Sequence, residues 1–478
     1  MFGRSFFALT ALSLLPLAAS ATTGCSKDDP TPTTFAYEPQ GCTYSVQPSA
    51  SLGLEDLALD DGAAYASGVG GTPARVRLGL GAPSPADPST TAALTWETPG
   101  NVHGAKIRFG TTSSALGETR SGYSWTTPPP TVGFGTTEDP VHLHEVHLCG
   151  LTPATTYFYQ VGGGASGSEV WSAPQTFTNL PSTAAQPLVI GVSGDSRDDK
   201  NVFQLIQLRM RDAGTALQLF SGDMVMIGTV ASLFHDWLDG IWLDPQDKTK
   251  FVTLGQQYIL PVAGNHEGGS TQFYGDFALP TSEGNDETIS SINIGSAHVL
   301  LWDDQTVAMS GGSDKAKAQL AFLDADLAKA DADRAAHPFV IIVEHRGLFS
   351  TANHGKDTDV LELRNRMVPI YDKYHVDLVL AGHDHNYERS KPLMAPAATP
   401  TIGSGTTYIV CAGAGAGGYA PGTDPATYRE KNVGFGSSTP YVGVYALMTL
   451  EAKKLSFKVY GLKNAGGDDV VDSFELTH

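Results

Sequence analysis

Five short polar clusters in this 478-residue sequence carry the kinds of donor that hold first-row metals. They are Gly194-Asp195-Ser196-Arg197, Gly222-Asp223, Gly264-Asn265-His266-Glu267, Glu344-His345-Arg346 and Gly382-His383-Asp384-His385. Their carboxylate, amide and imidazole groups suit Zn, Fe, Mn or Co. No Cys pair has zinc-site spacing. A lone Gly-Asp is usually a turn or helix cap, and an isolated histidine is more often satisfied within a core. Here, however, every cluster directly follows an apolar run. In open α/β sheets, sites form at the C-terminal ends of the strands. The Gly that opens four of the clusters is expected to let the backbone turn sharply. Together the clusters predict one metal site at one sheet edge.

The elements that must position these groups follow from hydrophobic periodicity. Leu188-Val189-Ile190-Gly191-Val192 reads as a buried strand, and Val202, Leu205, Ile206 and Met210 then recur at helical spacing. Further strands are expected over 217–220, 259–262, 339–343 and 377–380, with helices over 315–334 and around 360–374. This alternation implies a largely parallel sheet with helices on its faces. Strands over 442–450 and 455–460 are expected to close a second sheet. Between 86 and 180, strand-like runs separated by turns suggest a small β-sandwich. The run 141–148 holds His142, His144 and His147, which read as a polar strand face, with a metal patch as the alternative. Residues 26–85, rich in Pro, Gly, Ser and Ala, read as tether and irregular lead-in.

Composition narrows the function. With 41% hydrophobic residues the chain is globular, and 53 Gly with 29 Pro argue against a helical bundle. The balance of 30 basic to 50 acidic residues, net charge -20, argues against nucleic acid as a main partner. Residues 1–25 read as an export signal: Arg4 precedes an apolar stretch from Phe6 to Ala19 that is too short to span a membrane. Ala19-Ser20-Ala21 suits ordinary secretory cleavage. Thr22-Thr23-Gly24-Cys25 resembles a lipobox that would lipidate Cys25, and the polar Ser26-Lys27-Asp28-Asp29-Pro30 after it favours that reading. The expected location is therefore exported, as a bacterial-type outer-membrane or periplasmic lipoprotein or a secreted protein. Export permits one disulfide, expected between Cys42 and Cys149, while Cys411 is expected to be a buried free thiol.

The stretch Ala381-Gly382-His383-Asp384-His385-Asn386-Tyr387-Glu388-Arg389-Ser390 closely resembles the hallmark of calcineurin-like metallophosphoesterases of the purple acid phosphatase type. So do Thr407-Tyr408-Ile409-Val410 entering a Gly-rich loop, and Gly150-Leu151-Thr152-Pro153 before Thr156-Tyr157-Phe158-Tyr159. The likeness covers roughly residues 85 to 460. It implies an α/β (α+β) fold, a four-layer α/β/β/α metallophosphoesterase sandwich over 186–478 preceded by a fibronectin-type-III-like β-sandwich over 86–180. It further implies two metal ions such as Fe, Zn or Mn, with Asp223 bridging, Asp195 and His385 on the first, and Asn265, His345 and His383 on the second. By the same resemblance a metal-bound hydroxide attacks phosphorus in line. His266 donates a proton to the leaving oxygen or contacts phosphate, and His354 binds substrate. The implied function is an exported phosphatase acting on monoesters of phosphorylated small molecules. The alternatives are a phosphodiesterase or nucleotide hydrolase on the same site, or a binding or adhesion protein depleted of metal.

Two residues depart from that family. Its tyrosine three positions after the bridging Asp is Met226 here, so the purple colour is not expected. Relatives without that tyrosine read Asp-x-His at the first cluster, where this chain has Arg197, a side chain that stays protonated and cannot ligate. Water or Asp198 could complete the first site. Alternatively, the guanidinium binds a phosphate oxygen beside a weakly held metal, or it turns to solvent or pairs with an acid. The expectation is a complete but weaker first site with Arg197, counted among the catalytic residues, near the substrate. Arg346 and Arg389 are expected to contact anion or pair with Glu344 or Glu388, and Glu267 to orient its loop. The segment 412–418 lacks the Lys and Ser/Thr of a nucleotide loop and reads as a close-packed turn.

Overall fold

A computed structural model describes residues 35–48, 54–62, 72–100, 102–127, 131–132, 136–137, 139–182, 187–247, 250–282, 287–394, 400–423, 426–436 and 439–478. The expected leader and Cys25 lie outside them. Residues 36–478 form one compact unit. Among the described residues, no helix is long and apolar enough to cross a membrane.

Two sheets face each other at the centre. In the first, Leu188–Ser193, Leu217–Phe220 and Tyr258–Pro261 run parallel, with Val192 opposite Leu219 and Leu219 opposite Leu260. In the second, Ala297–Trp302, Phe339–Arg346, Leu378–Gly382 and Thr407–Cys411 run parallel. These strands are apolar at nearly every position because parallel sheets are covered on both faces. Ile190, Val192, Leu219 and Leu260 meet Leu301, Ile341, Val343 and Leu380 between the sheets. On the outer face of the second sheet, Val340, Ile342 and Val379 meet Leu323 and Leu327 of helix Asp314–Ala332 and Leu363 and Met367 of helix Thr358–Lys373. On the outer face of the first, Phe220 and Ile259 meet Phe203, Ile206 and Met210 of helix Lys200–Asp212 and Phe234 and Leu238 of helix Ala231–Trp242. The result is four layers, α/β/β/α.

Strands Tyr441–Leu450 and Lys454–Lys463 do not close a separate sheet. They extend the first one, through Val192 opposite Ala446, and a third antiparallel strand, Asp468–Thr477, lies outside them. The sequence reading passed over that last strand because acidic residues interrupt its apolar ones.

The segment read as irregular lead-in contributes two strands, Glu55–Leu59 and Ala74–Gly79. The second pairs parallel with Tyr258–Pro261, Leu78 opposite Tyr258. Through it the first sheet continues into Thr91–Thr98, Val141–Cys149 and Tyr123–Thr127, eleven strands in all. The signal was present: Val76 and Leu78 enter the core while Arg75 and Arg77 alternate with them. A five-stranded sheet that includes Lys106–Gly110 and Thr156–Gly163 supplies the other half of the β-sandwich. Trp96, Ile107, Phe109, Tyr159 and Phe177 fill the space between. Cys42 is bonded to Cys149. Cys411 is buried and free, its thiol pushed up to about 12 by burial.

The histidines of Val141–Cys149 are not a polar strand face. His144 is fully buried, stacked on Trp96 with ring centroids 5.2 Å apart and its Nε2 2.8 Å from the Thr98 hydroxyl. His147 is also buried, with Nε2 2.7 Å from Glu145 and Nδ1 3.0 Å from the Tyr44 hydroxyl. Among the described residues they form no metal cluster. Sandwich packing covers both faces of this strand, which an isolated strand pattern does not reveal.

Arg77 secures the join between the two regions. Its Nη1 lies 3.0 Å from Glu97, its Nη2 3.0 Å from Asp276 Oδ1, and its Nε donates to the Asp276 carbonyl at 2.7 Å. All three side chains are buried. Removing one member leaves uncompensated buried charge, so Arg77→Ala is expected to lower the unfolding free energy by about 3–5 kcal/mol in chemical denaturation at neutral pH. Burial depresses His144 from 6.5 to about 3. Between those values the unfolded chain binds more protons, so stability falls as pH falls. His144→Phe is expected to flatten this acid limb by up to about 1.4 kcal/mol per pH unit, read from melts across that range.

Candidate metal centre

Each cluster sits just past a parallel strand, as the apolar runs imply. Asp195 follows Leu188–Ser193, Asp223 follows Leu217–Phe220, and Asn265 and His266 follow Tyr258–Pro261. His345 is the exception, the penultimate residue of strand Phe339–Arg346 itself, while His383 and His385 follow Leu378–Gly382. The turns differ from expectation in one respect. The left-handed backbone falls on ligand-type residues themselves: Asp195 at φ 57°, Asp223 at φ 55° and His383 at φ 72°. Non-glycine residues there are strained by about 1–3 kcal/mol each, a cost that clusters at functional sites. The neighbouring glycines chiefly supply room. A Cβ on Gly264 would lie 2.2 Å from Asp223 Oδ1, and one on Gly382 would lie 2.3 Å from Asp195 Oδ2.

The side chains converge on Asp223, which is 1% exposed. Its Oδ1 lies 3.3 Å from His345 Nε2 and accepts the His266 backbone N–H at 3.0 Å. Its Oδ2 accepts from Arg197 Nη1 at 2.7 Å. Two groups of potential ligands share this carboxylate, Asp223–His345–His383 and Asp195–Asp223–His385. Asn265 joins the former, its Oδ1 2.9 Å from His345 Nε2. His383 Nδ1 lies 3.2 Å from that same nitrogen.

Backbone carbonyls select the tautomers. His345 Nδ1 is 2.7 Å from the Ser221 carbonyl, and His385 Nδ1 is 2.7 Å from that of Gly417. A carbonyl only accepts, so each Nδ1 carries the hydrogen and each Nε2 presents a lone pair. The lone pair of His345 therefore faces a carboxylate oxygen, an amide oxygen and a second imidazole. Such a buried convergence of carboxylate, amide and imidazole atoms fits a divalent cation. Burial, then the neighbouring Asp223, raises Asp195 well above the carboxylate range. Burial, then His345, lowers His383, and burial lowers His385 to about 4.

Other residues hold this arrangement. Buried Glu267 accepts the backbone N–H groups of Asp223, Met224, Val225 and Gly264 at 2.8, 2.9, 3.1 and 2.8 Å, so it clamps two ligand loops together. The segment 412–418 is a close-packed clamp: Ala414 N–H donates to the Gly194 carbonyl and Ala416 N–H to that of Asp195, both at 2.9 Å. It delivers Tyr419, a residue the sequence reading did not single out, onto His385 with ring centroids 4.3 Å apart. An aromatic residue just past a glycine-rich strand exit was the available signal.

His266 and His354 line the same centre. His266 Nδ1 is 2.7 Å from the Met226 carbonyl, and its Nε2 points toward Asp223 Oδ2 at 3.8 Å. His354 Nδ1 is 2.8 Å from Asp357, its Nε2 is 3.3 Å from the Tyr419 hydroxyl, and its ring centroid is 4.3 Å from that of His383. Arg346 turns away to Asp304 and Asp359, and Arg389 to Asp472. The expected partners are used elsewhere: Glu344 accepts from Tyr371 and Glu388 from Thr351. A cavity of about 410 Å³ opens beside Arg197, lined by Ser196, Asp198, Met224, Met226 and Trp237 among others.

The space at Gly264 gives a direct check. Gly264→Ala is expected to displace Asp223 and lower bound metal at least about tenfold by elemental analysis, with the far-UV circular dichroism of the fold retained.

The sequence matches the purple acid phosphatase N-terminal domain family over residues 73–179 and the calcineurin-like phosphoesterase family over 192–387. An uncharacterized protein of Mycobacterium tuberculosis is 26% identical over 66% of this chain and 62% of its own length. Purple acid phosphatase 21 of Arabidopsis thaliana is 27% identical over 55% of this chain and 58% of its own. Human acid phosphatase type 7 is 26% identical, with 55% and 60% covered. The chain thus spans about three-fifths of the length of these curated relatives. Among solved structures, a purple acid phosphatase from yellow lupin (Lupinus luteus) seeds shares the fold with a TM-score of 0.67 at 18% identity, covering 85% of this chain and 74% of that one.

Proposed function

Because this chain is a purple acid phosphatase-like member of the calcineurin-like phosphoesterase superfamily, we propose that it hydrolyses phosphate monoesters of small molecules at the centre built around Asp223. The observation that carries this reading is the buried convergence of Asp223 Oδ1, Asn265 Oδ1 and His383 Nδ1 within 3.3 Å of the His345 Nε2 lone pair. Bound divalent metals supply Lewis acidity, which activates water and polarises phosphoryl oxygens. Asp223 is the carboxylate that the two donor sets share. Asn265, His345 and His383 serve one side, and Asp195 and His385 the other.

His266 is the proton donor to the leaving oxygen. The Met226 carbonyl accepts from its Nδ1, which turns Nε2 toward Asp223 Oδ2 and the reacting centre. His354 contacts the phosphoryl group. Asp357 at its Nδ1 and the Tyr419 hydroxyl at Nε2 fix its orientation. With methionine at 226 in place of the tyrosinate, the metal-loaded protein is not purple. Export fits the Cys42–Cys149 disulfide, since such bonds persist in oxidising compartments. Cys25 is then the proposed point of lipid attachment.

The test is hydrolysis of p-nitrophenyl phosphate and of bis(p-nitrophenyl) phosphate from acid to alkaline pH. The monoester is expected to be preferred, chelation to abolish turnover, and Asp223→Ala to abolish it as well. His266→Gln is expected to lower kcat about 10²–10⁴-fold. Preference for the diester would assign the centre to phosphodiesterase chemistry. Substoichiometric metal without turnover of either ester would favour the binding or adhesion reading.

A further inference from the structure

Resting on that metal-dependent reading, the geometry points to a centre that holds a single metal ion, with the Arg197 guanidinium standing where a second would bind. The ion belongs to Asp223, Asn265, His345 and His383, and Arg197 supplies the positive charge at the Asp195–Asp223–His385 locus.

The two loci differ in what already balances them. At the Asp195 locus, two carboxylates that are 0% and 1% exposed face each other. Arg197 Nη1 donates to Asp223 Oδ2 at 2.7 Å and lies 4.0 Å from Asp195 Oδ1. Its side chain is only 12% exposed, so this is a built-in ion pair rather than a passing surface contact. A metal ion here would have to take the same Asp223 oxygen and sit against a guanidinium that stays protonated at every working pH.

Further donors are scarce at that locus. Asp198 is the nearest additional carboxylate, but it accepts from the Gly417 N–H at 2.9 Å and lies 3.8 Å from Arg197 Nε. Position 226 offers only a thioether, 43% exposed. At the other locus no guanidinium intervenes, because Arg346 is committed to Asp304 and Asp359. Its lone pairs are oriented by the Ser221 carbonyl at His345 Nδ1.

The buried Nε of Arg197 has no hydrogen-bond partner, and the residue lines the adjoining cavity. A guanidinium binds a phosphoryl oxygen well but does not make water acidic. Arg197 therefore supplies fixed charge and orientation at this locus.

The test counts and characterises bound Mn(II). Protein stripped with chelator is equilibrated with excess Mn(II), desalted, and examined by elemental analysis and electron paramagnetic resonance. The wild type is expected to hold about one Mn per chain with the spectrum of an isolated ion, and Arg197→His and Arg197→Ala about two with an exchange-coupled spectrum. Two coupled ions in the wild type would overturn the guanidinium substitution and leave the metal-dependent reading standing. No bound ion in the wild type would overturn both. One ion in the wild type and in both variants would overturn the role given to Arg197. Should those variants fail to fold, His385→Ala decides. It is expected to keep its single Mn with affinity within about threefold of wild type, and loss of that ion would overturn the assignment.

Discussion

Burying a carboxylate costs several kcal/mol unless charge and hydrogen bonds meet it, and Asp223 is buried where both donor sets intersect. Much of the surrounding structure answers that cost. Arg197 meets one oxygen, and the His266 backbone N–H meets the other. Glu267, itself buried and pushed up to about 7 by burial and by Asp223, satisfies four backbone donors around it. Five parallel strands from two sheets bring the ligand-bearing segments to this point.

The four layers make the arrangement rigid enough to sustain local strain. Three ligand-type residues hold left-handed backbone that their side chains disfavour, and they do so on strands locked between helices and a shared apolar core. Glycine at 264 and 382 then removes the methylene that would separate one ligand loop from the next. Strain is placed on the ligand and space on its neighbour, so the donors approach closely while their orientations remain single-valued.

The N-terminal sandwich belongs to the same construction. Strand Ala74–Gly79 is hydrogen-bonded beside Tyr258–Pro261, the strand that leads to Asn265. The Arg77 ion pairs close that seam to helix Thr271–Asp276. The sandwich thus buttresses the strand behind one ligand loop. The likeness to purple acid phosphatases extends over both regions, while Arg197 and Met226 give the centre a character of its own.

The sequence by itself determined the donors and their order along the chain. Residue type decides which atoms can ligate, and apolar runs decide where parallel strands end. Asp195, Asp223, Asn265, His345, His383 and His385 were therefore legible, as were His266 and His354 beside them and the main helices. Tertiary structure alone decided which groups meet. Arg197 pairs with Asp223, Tyr419 stacks on His385, and His144 disappears between sheets, because each contact joins residues far apart in the chain through packing that no local period encodes. It also decided that the ligands, rather than the glycines before them, carry most of the turn. Backbone strain is tolerated only where surrounding contacts over-determine the conformation, and those contacts exist only once the sheets have assembled.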